Sequence, residues 1–110
     1  MEVESAPIRR YPQEIEAAAY FCILEGLQNV QKYAAASRVV VRLREDDGDL
    51  YFEVRDDGRG FDPATVQLGS GLNNMRDRLE ALGGRLEIFA APGAGCRVSG
   101  TLKAGLPVAV

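Results

Sequence analysis

The segment Val54 to Phe61, VRDDGRGF, restricts the possible folds of this chain most strongly. Polar and apolar residues alternate up to Val54, as they do in a half-buried β-strand, so Asp56 falls where that strand should end. Gly58 and Gly60 tolerate backbone angles closed to other residues, and they let a ligand approach the main chain. Asp56 could then accept a hydrogen bond from an exocyclic amine such as that of adenine. The motif alone also fits an ordinary acidic turn, so the choice depends on the rest of the chain.

Length and composition indicate one soluble globular domain. The chain has 110 residues, 46% of them hydrophobic and 26% charged, so we expect a single domain over residues 1–110. Its net charge of -3 argues against a nucleic-acid-binding surface. The apolar run Ala17 to Leu24 is too short to span a bilayer, and Met1 to Pro12 lacks the apolar core of a signal peptide. We therefore expect a cytoplasmic domain without direct membrane contact.

The cysteine and histidine content narrows the possible chemistry. Cys22 and Cys96 fall inside a predicted helix and a predicted strand, which favours reduced thiols over a disulfide. Histidine is absent. The chain therefore lacks the commonest general base and zinc ligand, and it cannot itself carry a phosphohistidine.

A long helix is predicted from Ile15 to about Ala36. Pro12 is suited to open it, and apolar residues recur along one face at spacings of three and four. The polar residues Glu25, Asn29 and Lys32 recur at the same spacings and form a second ridge. This ridge fits a solvated face as well as one side of a binding site.

A second helix is predicted after the sequence Gly69-Ser70-Gly71. Its apolar positions run from Leu72 to Leu82, Gly83-Gly84 should end it, and Ser70 is suited to cap its start. A helix start flanked by glycine exposes free amide groups and the positive end of the helix dipole, which suits phosphate binding. A flexible connection with a routine cap explains the same sequence.

Alternating patterns predict four strands in two hairpins, and Glu2 to Ser5 fits the stub of an edge strand. The four predicted strands are Arg38–Glu45, Leu50–Arg55, Arg85–Phe89 and Cys96–Lys103. The order helix, two strands, loop, helix, two strands predicts an α+β fold. We expect a two-layer α/β sandwich, with a mixed, mostly antiparallel sheet and the helices packed on one face.

Taken together, these segments resemble the ATP-binding catalytic domain of bacterial sensor histidine kinases. This is the Bergerat-type (GHKL) fold shared with gyrase, MutL and the large heat-shock chaperones. The resemblance covers about Ile15 to Leu102. The segment GLNNMRDRLEALGG is most similar to the subgroup of kinases that pairs with response regulators of the LuxR/NarL type. Three motifs occur in the family's order: Glu25-x-x-x-Asn29-x-x-Lys32-Tyr33, Asp56-x-Gly58-x-Gly60 and Gly69-x-Gly71-Leu72.

The resemblance implies roles for individual residues. Asn29 would coordinate Mg2+ through its side-chain oxygen, and Lys32 would contact phosphate as a point charge. Glu25 would orient a metal-bound water or assist proton removal, and Asp56 would accept a hydrogen bond from the adenine amino group. The other residues expected to bind the nucleotide are Gly58, Gly60, Gly69, Ser70, Gly71, Leu72 and Cys96.

The chain also departs from the family pattern. Asp57 stands where much of the wider family has Asn. Cys96 stands where a Thr commonly helps to hold the adenine-binding carboxylate and its water, so nucleotide affinity is expected to be modest. With no histidine, the chain lacks the dimerisation and phosphoacceptor domain of a complete kinase.

The resemblance predicts a catalytic domain that binds ATP and Mg2+ and donates the γ-phosphoryl group to a histidine on a separate dimerisation domain. A LuxR/NarL-type response regulator would act downstream. The domain itself would be cytoplasmic, either in a soluble protein or as the cytoplasmic part of a membrane-bound sensor. The isolated domain should be a monomer that does not autophosphorylate. Two alternatives stay open, an anti-sigma-factor-type serine kinase and a degenerate nucleotide-binding or scaffolding module.

Overall fold

The computed structural model describes residues 2–5, 11–31, 35–46, 48–60 and 70–103. Two helices and five strands lie in these ranges. In chain order they are β1 (Glu2–Ser5), α1 (Gln13–Asn29), β2 (Val39–Asp46), β3 (Asp49–Asp56), α2 (Ser70–Ala81), β4 (Arg85–Ala90) and β5 (Cys96–Leu102). Neither of the helices in the described ranges has the length and apolar character that a bilayer span requires.

Within the described residues, the strands form a five-stranded sheet in the order β1-β2-β3-β5-β4. The short strand β1 pairs with β2 in parallel, and the other three pairs are antiparallel. The predicted hairpins β2–β3 and β4–β5 are therefore confirmed, as is the edge strand at Glu2–Ser5. Because β3 and β5 are neighbours, the second strands of the two hairpins pair with each other inside the sheet.

The hydrophobic core lies between one face of the sheet and the two helices. Its fully buried side chains come from both layers: Phe52, Met75, Leu79, Leu102 and Cys22. Gly100 on β5 makes room for the ring of Phe52 on β3, since a Cβ at Gly100 would lie 2.3 Å from Phe52 Cε1. The predicted fold class, a two-layer α+β sandwich with helices on one face, is confirmed.

The opposite face of the sheet is polar, which explains why no second helical layer is needed there. Glu53 is only 3% exposed on this face, but its carboxylate lies 3.3 Å from Arg42 Nη1 and 3.7 Å from Arg97 Nε. Arg42 also binds Glu4 of β1 at 2.7 Å. Buried charge is tolerated when it is paired, so this row of ion pairs links four strands across the open face.

The first helix is shorter than predicted. It begins after Pro12, whose carbonyl accepts hydrogen bonds from the amides of Ile15 and Glu16. The α-helix ends at Asn29 and is followed by a π-helical turn at Val30 and Gln31, after which residues 32–34 lie outside the described part of the chain. The chain has already left the helix at Ala35, whose φ of 50° is left-handed and incompatible with a continuing α-helix. The apolar period continues past this point, so it could not locate the end. As a result, Asn29 lies at the end of α1 instead of in its middle.

The second helix matches its prediction closely. It ends where Gly83-Gly84 was expected to stop it: the amide of Gly83 donates to Glu80 O and the amide of Gly84 donates to Leu79 O at 2.7 Å. Gly83 has a φ of 76°, the usual conformation after a helix C-terminus. The helix begins at Ser70 itself, so the position before the helix falls on Gly69, outside the described residues.

Candidate functional site

Asp56 is the last residue of β3 and lies on the helix-covered side of the sheet, two residues after the buried Val54. It is 8% exposed, and one of its carboxylate oxygens, Oδ1, accepts a hydrogen bond from the amide of Gly58 at 2.8 Å. No described residue donates to the other oxygen, Oδ2. The first glycine after the strand therefore orients the carboxylate and leaves one acceptor for a ligand.

Cys96 lies directly opposite Asp56, at the start of β5. Burial, and then the charge of the Asp56 carboxylate, raises the pKa of the Cys96 thiol to about 11. The thiol is therefore neutral near pH 7 and offers Asp56 at most a weak donor. Both Cys22 and Cys96 are free thiols, as the sequence predicted.

Glycines allow the turns around Asp56 to pack tightly. Gly95, between β4 and β5, has a φ of 77°, and a Cβ there would lie 2.2 Å from the carbonyl oxygen of Asp56. A Cβ at Gly60 would lie 2.0 Å from the carbonyl oxygen of Ala91. Gly60 thus acts by letting the segment after β3 approach the β4–β5 turn. Gly95 has the same effect on the other side, and its role was not recognised in the sequence.

A second group of predicted residues meets where α1 ends and α2 begins. A Cβ at Gly71, in the first turn of α2, would lie 2.8 Å from Glu25 Oε2 and 3.8 Å from both Asn29 Oδ1 and Asn29 Nδ2. Leu72 follows, half-buried against the core. The structure therefore brings Glu25, Asn29 and Gly71 together, and Glu25 and Asn29 are half-buried at the start of α2 instead of lying in open solvent.

Packing between the helices fixes this meeting point. The Cys22 thiol of α1 lies 4.0 Å from the carbonyl oxygen of Met75, and the Arg78 guanidinium stacks on the Phe21 ring at 4.0 Å. A Cβ at Gly26 would lie 3.1 Å from Val54 Cγ2, so α1 also rests closely on β3. These contacts place the end of α1 near the end of β3.

Asp57 makes contacts that the sequence did not reveal. Its carboxylate accepts hydrogen bonds from Ser37 N at 2.9 Å, Ser37 Oγ at 2.7 Å and Arg38 N at 2.9 Å. Its own amide donates to Arg38 O. The Ser37 hydroxyl, and then the Arg38 amide, hold the pKa of Asp57 below its ordinary value. Asp56 and Asp57 therefore have different environments, one facing the interior and one binding the segment before β2.

A cavity of about 440 Å3 opens beside Asp56 at this end of the sheet. It is lined by the ends of β3 and β5, including Asp56 and Cys96, and by β4 and the β4–β5 turn, including Ile88 and Gly95. Its volume falls in the range of ligand pockets. Its lining includes none of the described residues of α1 or α2.

Some predicted site residues lie outside the described part of the chain. Lys32, Tyr33 and Gly69 belong to this group, and for Ser70 only its place at the start of α2 is described. Their predicted roles stay predictions.

Two side-chain oxygens lie near the end of α1, and oxygen is the donor type that Mg2+ prefers. Glu25 Oε2 and Asn29 Oδ1 lie within 4 Å of the same point, the Cβ position of Gly71. Mg2+ commonly takes one or two protein oxygens and completes its octahedron with phosphate and water. In the part of the chain that the structure describes, no cluster of three or more acidic, cysteine or histidine side chains could hold a metal alone.

Comparison with curated proteins identifies relatives of known type. The chain is 36% identical over 90 residues to the signal transduction histidine-protein kinase/phosphatase DegS of Brevibacillus brevis, covering 81% of the chain and 23% of that relative. It is 43% identical over 75 residues to the corresponding kinase/phosphatase UhpB of Salmonella typhimurium, covering 68% of the chain and 15% of UhpB. The chain thus spans less than a quarter of the length of these relatives.

Solved structures of histidine kinases also match this chain. The histidine kinase domain of the blue-light-activated histidine kinase from Erythrobacter litoralis matches with a TM-score of 0.74 at 25% identity, over 94% of this chain and 50% of that one. The histidine kinase AdeS of Acinetobacter baumannii matches with a TM-score of 0.79 at 13% identity, over 94% of this chain and 53% of that one, and supports the fold alone.

The family assignment follows from a match that spans most of the chain. Residues 14–106 match the family described as histidine kinase-, DNA gyrase B- and HSP90-like ATPases. The resemblance recognised in the sequence is therefore confirmed. The chain belongs to the histidine kinase-, DNA gyrase B- and HSP90-like ATPase family, and the relatives compared above are described as histidine kinases.

Proposed function

We propose that this chain is the single-domain ATP- and Mg2+-binding catalytic part of a two-component sensor histidine kinase, and that it donates the γ-phosphoryl group of ATP to a histidine on a separate dimerisation domain. The observation that carries the proposal is the placement of Glu25 and Asn29 beside Gly71, at the start of α2. Oxygen donors there would face a helix N-terminus, whose free amides and dipole favour phosphate. This is the arrangement that a metal–triphosphate complex requires.

The two groups of site residues would bind different parts of the nucleotide. Asp56, oriented by Gly58, would accept a hydrogen bond from the adenine amino group through its free oxygen. Asn29 would contribute an oxygen to Mg2+, and Lys32 would add a positive charge near the phosphates. Mg2+, when bound, neutralises charge on the phosphate oxygens and holds them in a fixed orientation.

The reaction itself needs little covalent chemistry from the domain. A ring nitrogen of the acceptor histidine attacks the γ-phosphorus, the bond from that phosphorus to the bridging oxygen of ADP breaks, and ADP leaves. The acceptor ring gives up one proton. Glu25 lies one turn before Asn29, where it could orient a water or take that proton. Positioning and charge neutralisation would supply most of the rate enhancement.

The proposed partners follow from this role. The domain would meet a histidine-bearing dimerisation domain of the parent protein, and the phosphoryl group would pass to a response regulator of the LuxR/NarL type. The isolated domain would be a cytoplasmic monomer. The similarity to DegS and UhpB, both described as signal transduction histidine-protein kinases/phosphatases, supports a role in phosphoryl transfer within a signalling protein.

Phosphoryl transfer supplied in trans tests the proposal. The 110-residue chain is mixed with ATP labelled on the γ-phosphate, Mg2+ and the histidine-bearing domain of the parent protein. We expect a labelled acceptor whose phosphate is lost in acid and retained in base, because a phosphohistidine N–P bond is acid-labile. An acid-stable, base-labile product on a protein serine would replace this function with that of a serine kinase. Failure of any transfer or nucleotide binding would favour a scaffolding module.

A further inference from the structure

Asp57 accepts hydrogen bonds from two backbone amides that have no partner within the described helices or sheet. Ser37 and Arg38 lie between the exit of α1 and the start of β2, and the amides of both donate to the Asp57 carboxylate. The nearby Ala35 has a left-handed φ of 50°, an unfavourable conformation for a residue with a Cβ. This exposed carboxylate and its three donors, together with the backbone hydrogen bond from the Asp57 amide to Arg38 O, attach the segment to the residue that follows β3.

This attachment joins the two parts of the chain that follow the proposed site residues Asn29 and Asp56. Asp57 follows Asp56 directly, and Ser37 follows Asn29 after a short stretch of chain. On the other side, the contact between Gly26 and Val54 holds the same end of α1 against β3. One contact before Asn29 in the chain and one after it therefore join this part of the chain to β3 and to the residue that follows β3.

We propose that Asp57 is a positioning residue of the nucleotide site: by binding Ser37 and Arg38 it fixes the Asn29 end of α1 relative to Asp56. It thereby couples recognition of the phosphates and metal to recognition of adenine, without touching the nucleotide. This inference rests on the proposed function.

The chemistry of the three hydrogen bonds predicts which substitutions retain the role. Asparagine at position 57 keeps a side-chain oxygen that accepts from the two amides, and its NH2 group can donate to Ser37 Oγ. Alanine keeps neither. Ser37→Ala removes the shortest of the three bonds and leaves both amide bonds in place.

A double-mutant cycle with Asn29 tests the inference. The affinity for a non-hydrolysable ATP analogue with Mg2+ is measured by calorimetry for the 110-residue chain, for Asp57→Ala, for Asn29→Ala and for the double variant. Adenosine affinity is measured in parallel. Asp57→Asn and Ser37→Ala complete the set, and thermal unfolding of each variant reports its stability.

We expect Asp57→Ala to weaken binding of the analogue by about threefold to tenfold, with a much smaller effect on adenosine. In the Asn29→Ala background the effect should disappear, because the residue that Asp57 positions is gone. Asp57→Asn should restore most of the affinity, and Ser37→Ala should fall between the wild type and Asp57→Ala.

Three results would overturn the inference while leaving the proposed function intact. Equal fold losses in both backgrounds would mean that Asp57 acts on stability alone, as would equal losses for adenosine and the triphosphate. Wild-type affinity in Asp57→Ala would mean that it has no role in the site. Absence of nucleotide binding by the unmodified chain is a separate result, which would overturn the proposed function and this inference with it.

Discussion

Asp56 and Cys96 lie directly opposite each other on β3 and β5, so the buried carboxylate has a neutral thiol as its partner on β5. The amide of Gly58 supplies the strong donor that orients Asp56. A better donor at position 96 would add a second contact to the carboxylate or to a water beside it.

Cys96→Thr is therefore expected to tighten ADP binding by about twofold to tenfold, the effect of one added neutral hydrogen bond. Cys96→Val is the matched control, because it has the shape of threonine without the hydroxyl group and should not tighten binding. Calorimetric titration of both variants checks the prediction. Equal affinities for the two would show that the hydroxyl does not reach the site.

Asp56→Asn should reduce ADP affinity by about tenfold to a hundredfold, the cost of one hydrogen bond to a charged group. The amide of Gly58 will hold the side-chain oxygen of asparagine, so its NH2 group will face the adenine amine, donor against donor. Competition with GDP provides the readout, and the preference for ADP should fall. An unchanged ratio of the two affinities would contradict the assignment of Asp56 to adenine.

Gly71→Ala should preserve the fold and weaken nucleotide binding. The new Cβ would meet Glu25 Oε2 at 2.8 Å and force that side chain to move, while alanine is a better helix former than glycine. The control is Gly83→Ala, where the space is open but the φ of 76° disfavours alanine. It should destabilise the domain by about 1–2 kcal/mol and leave the affinity unchanged. Unchanged affinity in Gly71→Ala together with weaker binding in Gly83→Ala would refute a role for the start of α2.

The hydrogen bonds to Asp57 predict a pH dependence of stability. They hold its pKa below the ordinary value of 3.8, so the ionised carboxylate stabilises the folded chain above that pH. The contribution is lost as the pH falls through the lowered pKa. The difference in unfolding midpoint between the wild type and Asp57→Ala should therefore shrink between neutral pH and pH values below 3.8. A difference that is independent of pH would show that ionised Asp57 contributes nothing.

Regular patterns and ordered motifs made most of this fold predictable. Alternation placed β3 and β5, and the glycine pair Gly83-Gly84 correctly marked the end of α2. The resemblance in motif order led to the right family. The predicted end of α1 was wrong because the apolar period continues past Asn29, where the α-helix gives way to a π-helical turn that no local pattern signals.

The tertiary contacts of the site were less accessible to sequence reasoning. The roles of Asp57, Gly95 and Gly26 depend on which distant segment each one touches, and no spacing along the chain encodes that partner. For Asp57 a signal was present: successive residues of an extended chain point to opposite sides, so two adjacent acids at a strand end should serve different partners.

The proposed function requires Asn29 and Asp56 to belong to one nucleotide site. Its most direct test is calorimetric titration of the chain with ADP and a non-hydrolysable ATP analogue, with and without Mg2+, repeated in Asn29→Ala. We predict binding that Mg2+ strengthens in the unmodified chain and no Mg2+ effect in the variant, with its fold intact by circular dichroism. Binding that responds equally to Mg2+ in both proteins, or no binding at millimolar nucleotide, would contradict the claim.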